Sequence, residues 1–113
     1  MVDKQLNWSE WRKFPDPRNG DYLYAPFGSG VYQLKNTKTG EFVLFGKSKH
    51  LAKRMTSLLP PPYGAGTRNN ENKRVYVLKH LNDIVYRTIA LDDNGSHELE
   101  RYLKGLNIHI FNT

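Results

Sequence analysis

Gly30-Val31-Tyr32-Gln33-Leu34-Lys35-Asn36-Thr37-Lys38-Thr39-Gly40-Glu41-Phe42-Val43-Leu44-Phe45-Gly46-Lys47-Ser48 is the stretch that decides the fold. Val31 to Lys35 reads as a strand. Asn36 to Gly40 holds the turn residues of a hairpin, and Phe42 to Phe45 returns as a second strand. Four apolar residues in a row in that return predict cover on both faces of the sheet. The period then changes. Leu51, Met55, Leu58 and Leu59 fall at i, i+4, i+7 and i+8, an amphipathic helix within His50 to Leu59. On its wheel Arg54 lies about 40° from Leu58, at the margin of the apolar stripe, with Lys49 and Lys53 opposite.

Further along, Pro60-Pro61-Pro62 ends the helix and Tyr63-Gly64-Ala65-Gly66 continues as loop. Asn69-Asn70-Glu71-Asn72 offers several N-caps for a helix from Lys73 to Leu81, although Val75-Tyr76-Val77-Leu78 also suits a strand. Ile84 to Leu91, β-branched and aromatic, is a third strand, and Asp92-Asp93-Asn94-Gly95 turns the chain. Leu99, Tyr102, Leu103 and Leu106 form a last helix with Ser96 as cap, Glu98 in its first turn and Gly105 at its stop. Glu100 lies about 60° from Leu103, at the edge of the buried stripe. Residues 1–29 read as an N-terminal extension laid on the core, its Trp8 and Trp11 too costly to leave in water. The pattern is α+β.

Composition narrows the function classes. One domain is expected at 113 residues, with 12 aromatic residues beyond the two tryptophans to fill its core. With no cysteine, disulfides and thiolate metal sites are excluded. No apolar run approaches the roughly 20 residues of a membrane span, and Met1 to Gln5 does not open a signal peptide. A soluble, cytoplasmic protein with no membrane partner is expected. Residues 1–29 carry four basic and four acidic groups, so the net charge of +6 arises wholly from the 13 basic and 7 acidic groups that follow. A polyanion docking on that part is one reading, and charge for solubility is the other.

Gly30-Val31-Tyr32, Leu44-Phe45-Gly46-Lys47-Ser48, Arg54 eight residues past Gly46, then Glu100 and Asn112, in this order and spacing, resemble the GIY-YIG nuclease domain. Leu44 to Arg54 is most similar to the version at the N-terminus of the excision-repair nuclease subunit UvrC. The resemblance covers residues 30–112 of the 30–113 domain. It implies a small three-stranded antiparallel sheet flanked by three helices in the order ββααβα, with Lys73 to Leu81 helical.

It also implies chemistry: metal-dependent endonucleolytic hydrolysis of DNA with one Mg²⁺ or Mn²⁺ ion. Phosphodiester cleavage needs an activated water, neutralised phosphate charge and help for the leaving oxygen. The resemblance makes Glu100 the metal ligand, in place of the competing carboxylates Glu98, Asp92 and Asp93. It makes Arg54 the holder of non-bridging phosphate oxygens, a fork that lysine cannot imitate. Tyr32 is implied as general base, its phenol needing nearby positive charge from Lys47, Arg54 or the metal. Gly30 and Gly46 would permit close backbone approach. Asn112 would hydrogen-bond near the site or fix the terminus. Lys47, Lys49, Arg54 and Arg68 are the expected DNA contacts.

Leu44 departs from the family, whose second motif carries tyrosine there, and His109 stands where proline is usual. With one hydroxyl fewer, Tyr32 acts alone or His50 substitutes as base. The rival is a domain that binds nucleic acid without cutting it, with Tyr63 and Tyr76 stacking on bases; a purely structural domain is the third. Residues 1–29 and the Pro60–Gly66 loop are too little for independent base readout, so structure-dependent or weakly specific cleavage, a partner protein, and a homodimer around a palindrome all stay open.

Overall fold

The computed structural model describes residues 6–67 and 70–112, so Arg68 and Asn69 lie outside the described residues. The hairpin forms as the sequence dictates. β1 is Arg12–Lys13, β2 is Gly30–Asn36 and β3 is Phe42–Ser48; then come α1 (Leu51–Thr56), α2 (Glu71–Lys79), β4 (Ile84–Ala90), α3 (Asp93–Leu106) and β5 (His109–Phe111). These five strands make one sheet in the order β1-β4-β2-β3-β5.

The three strands read from the sequence are the centre of that sheet, antiparallel throughout. The expected three-stranded antiparallel sheet is corrected at both edges. β1, inside the N-terminal stretch, pairs antiparallel with β4 through Arg12–Tyr86 and Lys13–Val85. β5, beyond the last helix, runs parallel to β3 through Phe42–His109 and Leu44–Phe111, which makes the sheet mixed. Strands of two and three residues are too short to show a period of two, so neither pattern stood out.

Alternation in β2 divides the core between two faces. Tyr32 and Leu34 join Leu44, Leu51, Met55 and Val77 on the face covered by α1 and α2. Val31 and Phe45 meet Leu99 and Leu103 of α3 on the other. A register shift after Leu34 lets neighbouring Val43 and Leu44 enter one cluster while Phe45 enters the other, so both faces are covered as expected. Trp8 packs on the α3 side, with the Arg87 guanidinium 4.2 Å from its ring and 4.7 Å from that of Trp11.

Helix ends differ from expectation: α1 stops at Thr56, short of Leu59, with Ser57 as its C-cap, and α2 runs Glu71–Lys79 in place of Lys73 to Leu81. Asp92, not Ser96, caps α3, its carboxylate accepting the Gly95 N–H at 2.7 Å, so the expected turn is the helix's first coil. Asparagine competes with glycine for left-handed backbone, and Asn107 at φ 53°, not Gly105, ends α3. Val75 to Leu78 is helical, with Val77 buried. Tyr76 is occupied within the fold rather than held out for a base: its ring lies against Phe111 and its hydroxyl accepts from Asn36 at 3.0 Å. Among the described residues no helix is long and apolar enough to cross a membrane.

Candidate active site

Tyr32 and Gly46 sit directly opposite each other on β2 and β3. The phenol lies across the glycine so closely that a Cβ there would fall 2.7 Å from the hydroxyl and 2.8 Å from Cζ. Gly46 is therefore the floor on which the Tyr32 ring rests. β5 pairs with β3 only at Phe42 and Leu44, so beyond them Gly46 to Ser48 has no partner on that side among the described residues. The phenol points toward this open edge. Gly30 has a different use: a Cβ would lie 2.3 Å from the Ile89 carbonyl oxygen, so it lets β4 close against β2.

Arg54 meets the phenol from above. α1 begins shortly after β3, its Leu51 and Met55 buried in the core, which holds Arg54 one turn along at the helix margin. Arg54 is solvent-exposed, whereas Tyr32 is buried. Burial pushes the Tyr32 phenol above its usual value; the charge of Arg54 and its hydrogen-bonding contact oppose this, and the charge of Glu100 adds to the rise. Hydroxyl, guanidinium and carboxylate thus share one electrostatic neighbourhood. α3 packs on the opposite face of the sheet from the phenol, and Glu100 on that helix reaches Tyr32 only as the weakest of these influences, through its charge.

A fourth group belongs here that the sequence did not single out. Lys73, in the first turn of α2, is half-buried; burial lowers its pKa, the charge of Arg54 lowers it further, and Glu100 opposes both. Nothing in the sequence distinguishes it from Lys79 or Lys104, because only the packing of α2 brings it within reach of the Arg54 and Glu100 charges.

The other expected residues divide. His50 and Lys53 line a depression of about 290 Å³ with Ser48, Arg54, Ser57 and Thr67. Lys47 is exposed and lines a smaller hollow of about 60 Å³ with Ser29 and Lys49. The Lys49 ammonium lies 3.6 Å from Asp93. Asn112 fastens the terminus, its amide donating to the Lys104 carbonyl at 2.8 Å. Its neighbour His109 is buried, hydrogen-bonded through Nε2 to Gln33 at 2.9 Å, and burial lowers its pKa to about 4 while Asn112 opposes. Leu44 is fully buried on the same face as Tyr32, packed in the core with Leu34. Arg68 lies outside the described residues.

As to metal, no group of three His, Asp or Glu side chains suited to an ion occurs among the described residues. Glu100 is a half-buried carboxylate whose charge is felt at the Tyr32 phenol. One carboxylate is less than a preformed ion site; where Mg²⁺ is bound through one or two carboxylates, phosphate oxygens and water complete its ligands. No family model, curated protein or solved structure matches this chain.

Proposed function

We propose that this domain is a GIY-YIG-type, metal-dependent endonuclease that hydrolyses DNA phosphodiester bonds. The observation that supports the reading is that Arg54 of α1, by charge and hydrogen-bonding contact, and Glu100 of α3, by charge, both act on the buried Tyr32 phenol of β2. Arg54, exposed, presents its fork to the non-bridging oxygens of a phosphate and neutralises their charge as it grows. Lys73 adds a second positive charge behind it. Once its own proton has been lost to solvent, Tyr32 as phenolate takes the proton of the attacking water and is returned to the phenol. Burial and the Glu100 carboxylate hold the phenolic proton on, and Arg54 alone works to release it; neutralising Glu100 therefore favours the phenolate. Glu100 would hold a Mg²⁺ or Mn²⁺ ion, whose chemistry when bound would be Lewis-acid stabilisation of the leaving oxyanion. The proposed setting is intracellular, with DNA as partner and with sequence selection, if any, coming from a second copy or a partner protein.

The rival reading, DNA binding without cleavage, is favoured by Leu44, which leaves no second phenol at that position on the Tyr32 face. One experiment separates them. Purified protein and its Glu100→Ala variant are incubated with supercoiled, single-stranded and flapped DNA, with Mg²⁺, Mn²⁺ or EDTA. Cutting that needs metal and Glu100 supports the nuclease. Salt-dependent binding with no cutting under either metal supports the rival, and no affinity at low salt leaves only a structural domain.

A further inference from the structure

We propose that Phe27 is a base-stacking finger that grips an exposed nucleobase beside the cleaved phosphate, so that this domain prefers DNA with a nick, flap or mismatch to continuous duplex. The inference rests on the nuclease reading, which lays the DNA backbone across Arg54. Phe27 is 88% exposed, more than any other large apolar side chain among the described residues. Its loop is nevertheless fixed. The Pro26 carbonyl accepts the Ala52 N–H at 2.9 Å and the Gly28 carbonyl accepts the Leu51 N–H at 3.0 Å. Both shoulders of the ring are therefore tied to the first turn of α1, the helix that carries Arg54.

The two basic hollows flank this loop. His50, the residue before α1, lines one with Lys53 and Arg54, and Ser29, two residues past Phe27, lines the other with Lys47 and Lys49. Ser48 lines both. Lys47, Lys49, Lys53 and Arg54 outnumber the one carboxylate in these hollows, Asp93, which pairs with Lys49 at 3.6 Å, and such an excess of positive charge beside an exposed ring suits a phosphate backbone with a base face between its charges. A protein partner fits less well, because a stable protein interface needs a contiguous patch on the order of 800 Å² per partner and one ring does not provide it. In continuous duplex every base face is covered by its neighbours. A break or mismatch offers a face at the least unstacking cost.

The test uses Glu100→Gln protein in EDTA, so that binding is read without cutting, with a nicked duplex carrying 2-aminopurine at the nick and the same sequence unbroken. The expected result is about 10-fold tighter binding to the nicked probe, a size one base–aromatic stack can supply. Adding Phe27→Ala should erase the preference and the Phe27-dependent change in 2-aminopurine emission, and Phe27→Trp should restore the preference. A preference that survives Phe27→Ala, or that Trp does not restore, overturns the proposal. The exposed position keeps folding out of the result. Phe27-dependent preference in a protein whose parent form cuts DNA under neither Mg²⁺ nor Mn²⁺ would sink the nuclease reading and leave the finger standing; metal-dependent cutting with no such dependence does the reverse. Absence of binding to either probe overturns both.

Discussion

Gly46→Ala is the substitution that most sharply probes the seat of the phenol. The added methyl would stand 2.7 Å from the Tyr32 hydroxyl, 2.8 Å from Cζ and 2.9 Å from Cε1, all far inside ordinary contact. Relief requires the ring to lift by roughly 0.5–1 Å, since carbon contacts settle near 3.5–4.0 Å. The ring is buried with Leu34 and Leu44 beneath the helices, so the shift should cost about 1–3 kcal/mol of stability, the usual range for overpacking. It also displaces the hydroxyl from its present position against Arg54, where the proposed site would activate water. A misplacement near 1 Å can lower catalysis about 100-fold. Urea unfolding and single-turnover cleavage of a nicked duplex read the two effects. The internal control is Tyr32→Ala, in whose background Gly46→Ala should be nearly neutral for stability, a coupling above about 1 kcal/mol. A Gly46→Ala protein as stable and as active as the parent would refute the placement of the ring.

Three other outcomes follow from the same structure. Lys73→Gln should reduce cleavage by about 10- to 100-fold, as expected for removing one charge near developing phosphate charge, and unchanged single-turnover rates would remove Lys73 from the site. His109 has a folded pKa of about 4, below its unfolded value near 6.5, so the unfolded chain binds the extra proton between these values and stability falls as pH drops through that window. The loss is at most on the order of 3 kcal/mol, and His109→Gln should flatten that part of the urea-midpoint profile; parallel profiles for the two proteins would contradict it. Gly105→Ala, inside α3 with nothing within 4 Å of the added methyl and no positive φ, should stabilise by about 0.4–1 kcal/mol, and a lower melting temperature would show that the helix needs the glycine.

The centre of the fold was legible because β2, β3 and β4 are long enough to display their apolar character, and the α1 and α3 segments long enough to show an apolar stripe. β1 and β5 were not, since Arg12–Lys13 and His109–Phe111 take strand geometry only from the partners they find in the folded chain. α2 was ambiguous for a related reason: Val75, Tyr76, Val77 and Leu78 are consecutive, and only Val77 is buried. The same logic divides the site. Tyr32 and Gly46 are tied by hairpin register, which sequence encodes locally. Arg54 and Glu100 lie at helix margins that a wheel reveals without saying what they face. Lys73 depends on how α2 sits against the sheet, a tertiary fact with no local signature. Asn112 illustrates the opposite case, a motif position whose partner is the carbonyl at the end of α3.

Titration of the Tyr32 ring tests the convergence most directly, using ring-¹³C tyrosine and a resonance assigned by its loss in Tyr32→Phe. The phenol should titrate above the usual value near 10, Arg54→Gln should move it higher still, and Glu100→Gln should bring it down. A Tyr32 resonance indifferent to both substitutions would mean that the guanidinium and the carboxylate stand elsewhere, and the proposed cleavage site would have no common ground.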